Sequence, residues 1–144
     1  MDQVDQKILM VLQENARISM TELGQRIGLT GPATTERVKK LEDRGIIEAY
    51  RAKLSSEALN KRVTAYILFE TERCKAFAEF CKEHPEVMEC HRLAGQYSYL
   101  VKLVTESIKT MEAFIDNAMP YGKSSTHIQL SSPVDYKSYC LLNQ

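Results

Sequence analysis

Residues 26–53 concentrate cationic side chains, the groups that neutralise phosphate. This interval holds seven Lys and Arg residues against four acids, although the whole chain of 144 residues has 19 of each sign and no net charge. Each phosphate that is neutralised adds only about one unit to the salt dependence of binding, so a patch this small predicts several copies acting together. The candidate phosphate contacts are Lys39, Lys40, Arg51 and Lys53. The alternative for any one of them is an ordinary solvated charge.

Two short helices joined by a tight turn are predicted to position these cations over residues 19–45. The residues that delimit them are Ser19 with Glu22 as a capping box, Gly28 as a stop, Thr30 as an N-cap with Pro32 in the first turn, and Gly45 as the final stop. Thr34, Val38 and Leu41 share the inward face of the second helix. This is the pattern of a helix-turn-helix whose second helix enters the major groove, although such a pair also occurs in purely structural helical domains.

The predicted groove-facing residues belong mainly to the first turn of the second helix. They are Thr30, Gly31, Pro32, Ala33 and Thr35, with Arg37 one turn further on. Arg37 has core positions beside it, so a structural role is its alternative. Because the first turn carries no Arg, Asn or Gln, we expect weak direct reading of bases and dependence on DNA shape.

The neighbours of this stretch favour DNA binding over the structural alternative. Upstream, Val4, Ile8, Val11 and Leu12 predict a third amphipathic helix that completes a small core. Downstream, the β-prone and basic residues 46–54 predict a wing that touches the phosphate backbone. We therefore predict a winged helix-turn-helix domain at residues 1–54, followed by a polar linker at residues 55–62.

The pattern changes at Val63 and predicts an α+β domain over residues 63–144. The predicted elements are a strand at 63–71, a helix at 75–84, strands at 87–94 and 97–104, a helix from Ser107 to Pro120, and a strand at 125–130. The second helix is expected to face inward with Ile108, Met111, Ile115 and Ala118. This β-α-β-β-α-β order is the ferredoxin-like unit. Its two helices cover one face of the sheet, yet Tyr66, Leu68, Leu100 and Val104 make the other face apolar as well. A homodimer that pairs these faces is the simplest cover.

Other chemistries find little support in the sequence. The four cysteines, Cys74, Cys81, Cys90 and Cys140, match no zinc spacing and are expected to be reduced thiols. Cys90 and His91 point to opposite faces of a strand, so they cannot chelate one ion. No catalytic triad, phosphate-binding glycine loop or signal sequence is recognisable, and no apolar run is long enough to span a membrane. We expect a cytoplasmic protein that is not an enzyme and has no cofactor or metal.

Four stretches of the sequence, residues 5–19, 22–30, 36–50 and 90–101, resemble the Lrp/AsnC family of bacterial and archaeal transcription regulators, in particular its LrpC-type members. The resemblance covers essentially the whole chain. It implies a protein that dimerises through its C-terminal, RAM-type domains and often assembles to octamers. Such an oligomer binds double-stranded DNA and bends or wraps it. The resemblance also implies, for many members, a free amino acid bound between dimers.

The effector loop of the family corresponds to Gly95, Gln96, Tyr97, Ser98 and Tyr99 of this chain. Ser98 stands where the family usually has an aspartate. A serine hydroxyl makes neutral hydrogen bonds that are about half as strong as those of a carboxylate, so the sequence leaves an amino-acid response open. Two other functions also remain: an architectural, nucleoid-associated protein that compacts DNA with little gene selectivity, and a small-molecule sensor or enzyme with a protein-binding helical module.

Overall fold

The computed structural model describes residues 1–141. Its contacts divide the chain into two compact units, which we call the first unit (Met1–Lys53 with the residues from Val134 onward) and the second unit (Leu54–Pro133). We expected every residue from 63 onward to belong to the second domain. The structure instead packs the described residues after Pro133 with the first unit. None of the helices formed by residues 1–141 is long and apolar enough to cross a membrane.

The first unit is built from α1 (Gln3–Glu14), α2 (Met20–Ile27) and α3 (Gly31–Asp43). Its core joins Ile8, Leu9 and Leu12 of α1 to Leu23 of α2 and to Val38 and Leu41 of α3. Ser19 caps α2 as predicted, since its hydroxyl accepts from the backbone N–H of Glu22 at 3.1 Å. The reciprocal half of that capping box is replaced, because the Glu22 carboxylate pairs with Arg26 at 2.7 Å.

Glycines end both later helices, as predicted. Gly28 ends α2 with φ 79°, and Gly45 follows α3 with φ 67°. After α3, the N–H of Ile46 donates to the Leu41 carbonyl and the N–H of Gly45 donates to the Glu42 carbonyl. This paired arrangement satisfies carbonyls that a helix end otherwise leaves without partners.

The prediction of a β-wing at residues 46–54 is wrong in this structure. None of these residues lies in a strand; the segment is irregular, and most of it is exposed. A strand needs a second run of backbone to accept and donate its hydrogen bonds. Residues 46–54 supply one β-prone run, and none of the described residues of the first unit forms a strand that could pair with it, so propensity alone does not produce a hairpin.

The second unit has the predicted β-α-β-β-α-β order. It comprises β1 (Val63–Glu70), α4 (Cys74–Glu83), β2 (Val87–Arg92), β3 (Tyr99–Thr105), α5 (Ile108–Ala118), a 3-10 turn (Met119–Tyr121) and β4 (Lys123–Ile128). The strands form one antiparallel sheet in the order β2-β3-β1-β4. The core lies between one sheet face and the two helices, and includes Ile67, Phe69, Phe77, Val101 and Phe114.

Three details of the second unit differ from the sequence prediction. The strands predicted at 87–94 and 97–104 span Val87–Arg92 and Tyr99–Thr105, so the connection between them is longer than expected. Ile108 was expected to face inward, but it is 53% exposed because it is the first residue of α5, and Phe114 fills the core instead. The last strand begins at Lys123 and ends at Ile128, two residues earlier than predicted. Its register is set by pairing with β1, where Tyr66 lies opposite His127 and Glu70 opposite Lys123.

Candidate nucleic-acid interface and ligand domain

Helix α3 is fixed in the first unit by three buried residues, Thr34, Val38 and Leu41. Thr30 begins the helix, since its hydroxyl accepts from the backbone N–H of Ala33 at 3.4 Å. The Thr34 hydroxyl, buried completely, donates to the Thr30 carbonyl at 2.8 Å. The core contacts of this face leave the opposite face exposed, including Pro32, Thr35, Lys39 and Lys40.

Helices α2 and α3 approach each other closely at Gly24, which is buried. A Cβ atom at this position would lie 2.6 Å from the Leu29 carbonyl oxygen and 2.8 Å from the Thr34 hydroxyl oxygen. The first of these is a backbone atom that cannot move aside without disturbing the turn. The geometry of the helix-turn-helix therefore depends on the absence of a side chain at residue 24.

The first turn of α3 offers few groups for reading bases. Gly31, Pro32 and Ala33 have no side-chain hydrogen-bond donor. The Thr35 hydroxyl donates to the carbonyl of Gly31 at 2.9 Å, so its own proton is already used within the helix. This arrangement agrees with the expectation of weak direct readout.

Arg37 is held by the start of α1 and does not point freely from α3. Its guanidinium donates to the Asp2 carboxylate at 2.7 Å and to the Asp5 carboxylate at 2.9 Å. Asp2 and Asp5 also form the capping box of α1. The Asp5 backbone N–H and then Arg37 lower the pKa of Asp2, and the two carboxylates raise the pKa of Arg37. These contacts favour the structural alternative for Arg37. The role of these two acids was not predicted, although their three-residue spacing is typical of a helix cap.

The four predicted phosphate contacts differ in their partners. Lys40 pairs with Glu36 at 2.7 Å across one helical turn, and Lys53 pairs with Asp135. Lys39 and Arg51 make no ion pair with any residue between 1 and 141. Lys39 and Arg51 can therefore meet a phosphate without first breaking an internal pair.

Tyr50 packs beside α3 and donates from its hydroxyl to the Glu42 carboxylate at 2.8 Å. Desolvation, together with this hydrogen bond, raises the pKa of Tyr50 to about 12. Tyr50 and Lys39 lie at an open cleft of about 480 Å³ that is also lined by Leu12, Met20 and Val38. The Tyr50 hydroxyl therefore stays protonated and holds residue 50 against α3.

The predicted effector residues divide into two groups. Gly95 and Gln96 are exposed and Tyr97 is half-buried. Ser98 is bound to Thr71 in both directions, because its hydroxyl donates to the Thr71 carbonyl at 3.1 Å and accepts from the Thr71 N–H at 3.2 Å. Tyr99 is 6% exposed, and its hydroxyl donates to the Cys74 carbonyl at 3.2 Å. Ser98 and Tyr99 thus have structural contacts, whereas the first three residues are accessible.

The sheet face opposite α4 and α5 carries no helix of the second unit. We call it the open sheet face; its apolar residues are the half-buried Tyr66, Leu68 and Leu100 and the buried Val104. Lys102 of β3 lies on the same face opposite Tyr66 and pairs with Glu89 of β2 at 3.0 Å, and Glu89 also binds His91 at 3.1 Å. Hydrogen bonds from His91 and Lys102 lower the pKa of Glu89. Protein interfaces likewise combine apolar side chains with paired polar ones.

Comparison with known proteins identifies both units. Residues 1–48 match the family model described as winged helix-turn-helix DNA-binding, and residues 64–139 match the Lrp/AsnC ligand binding domain. The HTH-type transcriptional regulator YezC of Bacillus subtilis is 52% identical to this chain, and the match covers 92% of this chain and 95% of YezC. The chain belongs to the Lrp/AsnC family. It is a helix-turn-helix transcription regulator that binds DNA, and its relatives are regulators in a family not known as enzymes.

Solved structures support the same assignment. The structure of Bacillus subtilis LrpC superposes on this chain with a TM-score of 0.89 at 33% sequence identity. The superposition covers 95% of this chain and 99% of the LrpC chain. The transcriptional regulator NMB0573 of Neisseria meningitidis was solved in complex with L-Met. It superposes on this chain with a TM-score of 0.92 at 29% sequence identity, and the superposition covers 99% of this chain and 97% of the NMB0573 chain. The expected fold, a helix-turn-helix followed by a RAM-type α+β domain, is confirmed.

Proposed function

We propose that this Lrp/AsnC regulator works in the cytoplasm as a dimer, assembling further to octamers, and binds bent DNA chiefly through the phosphate backbone. The observation that carries this proposal is the exposed face of α3, which offers cations but almost no base-reading groups. The proposed contacts are Thr30, Gly31, Pro32, Ala33, Thr35, Lys39, Lys40, Arg51 and Lys53. The internal ion pairs of Arg37 argue for its removal from that set.

The apolar residues of the open sheet face, which no helix of the second unit covers, support the dimer. The local cationic excess is too small for one copy to bind DNA tightly, whereas two linked copies gain from high effective concentration. A two-fold arrangement also presents two α3 helices to successive major grooves, and bending the duplex brings more phosphates within reach of the cations.

DNA curvature is expected to strengthen binding. We predict that an intrinsically curved fragment binds about 10-fold more tightly than a straight fragment of equal length, since the cost of bending has already been met. Gel-shift titrations at matched salt would measure this ratio. Equal affinity for the two fragments would contradict the proposal. Footprints confined to a few sites would support gene regulation, and diffuse coverage would favour an architectural protein.

Lys39 and Arg37 are expected to differ in how they affect the salt dependence of binding. For Lys39→Gln, we predict that the slope of log affinity against log salt falls by about one for each α3 helix that contacts DNA, because one phosphate contact per helix is lost. Arg37→Gln is the matched control on the same helix, and it should leave the slope unchanged, because Asp2 and Asp5 already bind that guanidinium. Circular dichroism of both variants would check that they are folded. The reverse pattern, with only Arg37→Gln lowering the slope, would reverse the assignment.

We also propose that Gly95, Gln96 and Tyr97 form the accessible part of an amino-acid effector site. The matching domain is described as ligand-binding, and the Neisseria relative was solved with L-Met. Ser98 and Tyr99 would support this site through their contacts with Thr71 and Cys74. Their role would then be to hold the loop, not to contact the amino acid directly.

Replacing Ser98 by aspartate tests whether this residue holds the loop. We predict that Ser98→Asp binds the amino acids of a panel about 10-fold more weakly than the unmodified protein, because an ionised carboxylate cannot donate a hydrogen bond to the Thr71 carbonyl and the loop loses that contact. Isothermal titration calorimetry would measure both proteins. Ser98→Asn, which has the same shape but no charge, is the matched control. Identical affinities for all three proteins would count against this placement of the site.

A further inference from the structure

The first unit contains a contact that the family resemblance does not explain. Residues 134–141, which we call the C-terminal segment, lie against the first unit although about 80 residues of the second unit separate them from it in sequence. We propose that the first unit has a docking site for this segment, and that the docked segment competes with DNA for Lys53. The DNA part of this inference rests on the phosphate contact proposed for Lys53.

Gln13 of α1 forms the central anchor of the docking site. Its side-chain oxygen accepts from the Tyr139 backbone N–H at 2.7 Å, and its side-chain nitrogen donates to the Tyr139 carbonyl at 3.1 Å. The amide of Gln13 thus satisfies both backbone groups of one residue, as a neighbouring strand would. Because these contacts use the backbone, the Tyr139 ring remains 78% exposed. The site recognises the segment at this point through its main chain, not through a side chain.

Leu141 supplies an apolar anchor two residues further along the segment. It is partly buried and packs against the core of the first unit. Residue 139 is therefore bound by its backbone, and residue 141 is bound by its side chain. The polar pair and the apolar contact together define the segment's register on the first unit.

Asp135 connects the docked segment to DNA binding. Its carboxylate pairs with the Lys53 ammonium, which the sequence predicts as a phosphate contact. The Lys53 and Asp135 side chains are 72% and 53% exposed, so water reaches this pair and a phosphate can displace the carboxylate. Exposed ion pairs are weak, and the expected competition is about a two- to five-fold effect on affinity for each unit.

Removing the charge of Asp135 tests the competition. For Asp135→Asn in the full chain, we expect about two- to five-fold tighter binding at low salt for each DNA-bound unit, and a steeper salt slope. Asp116→Asn, which removes one charge from exposed residue 116 of α5, is the matched control for net charge. If Asp135→Asn and Asp116→Asn bind DNA equally well, the competition is overturned.

A second variant tests docking without DNA. In Gln13→Ala, we expect the Tyr139 amide to lose its protection from hydrogen exchange, while the amides of β1 and β3 keep theirs. The same variant should bind DNA more tightly, because the segment no longer holds Asp135 beside Lys53. Unchanged exchange at Tyr139 would overturn the docking site. A flat salt slope for the unmodified protein would instead contradict the proposed phosphate-dominated binding, so the two failures are distinguishable.

Discussion

Leu68→Lys is expected to convert the protein to monomers and to weaken its binding to DNA by about 100-fold or more. Leu68 lies at the centre of the open sheet face, between Leu100 of β3 and Ser125 of β4. A lysine at this position would bury an unpaired charge between two copies, which is far more costly than leaving it in water. Loss of the dimer also removes the gain in affinity that comes from linking two weak DNA-binding units.

Light scattering and DNA titration on the same samples would measure both effects. Ile108→Lys is the matched control, because Ile108 is 53% exposed on α5 and belongs to the helical side of the second unit. It introduces the same charge and should leave both the mass and the affinity unchanged. Leu100→Lys should repeat the Leu68→Lys result from the neighbouring strand. Dimers that persist in both sheet variants, with native circular dichroism, would exclude the open sheet face as the interface.

Gly24→Ala is expected to destabilise the first unit by about 1–3 kcal/mol. The added Cβ would overlap the Leu29 carbonyl and the Thr34 hydroxyl, at 2.6 Å and 2.8 Å. Relief requires α2 and α3 to move apart, which changes the presentation of α3. DNA binding should therefore weaken even at temperatures where the first unit remains folded.

Hydrogen exchange resolved by residue would show where the stability is lost. The amides of α2 and α3 should exchange faster in Gly24→Ala, while those of the second unit stay protected. For stability alone, Gly31→Ala is the matched control, since its Cβ would have no neighbour closer than 3.4 Å. Equal stability of the two alanine variants would show that the turn can accommodate a methyl group at residue 24.

Local sequence signals predicted most of the helix boundaries. Ser19, Thr30 and Ser107 cap the helices that they were expected to cap, and Gly28 and Gly45 adopt the left-handed conformation expected of helix stops. These outcomes depend on side chain and backbone within a few residues, so a single sequence contains the necessary information.

Features that depend on distant partners were not predicted. The capping acids Asp2 and Asp5 bind Arg37 across more than thirty residues, and Ser98 binds Thr71 across 27. Nothing in the local pattern of either pair specifies its partner. The predicted wing is absent for a related reason, since residues 46–54 have β-propensity but no strand among the described residues of the first unit pairs with them. Strand propensity expresses fit to neighbours and is weak evidence where no neighbour exists.

The contact of Gln13 with Tyr139 has a consequence for synthesis on the ribosome. These residues are 126 positions apart, so helix α1 leaves the ribosome long before the residue that binds it. At typical elongation rates of 5–20 residues per second, the delay is roughly 6–25 s. During this interval the edge of the first unit's core that Leu141 later covers is exposed. Chaperones or other nascent chains can therefore bind to it before the C-terminal segment is made.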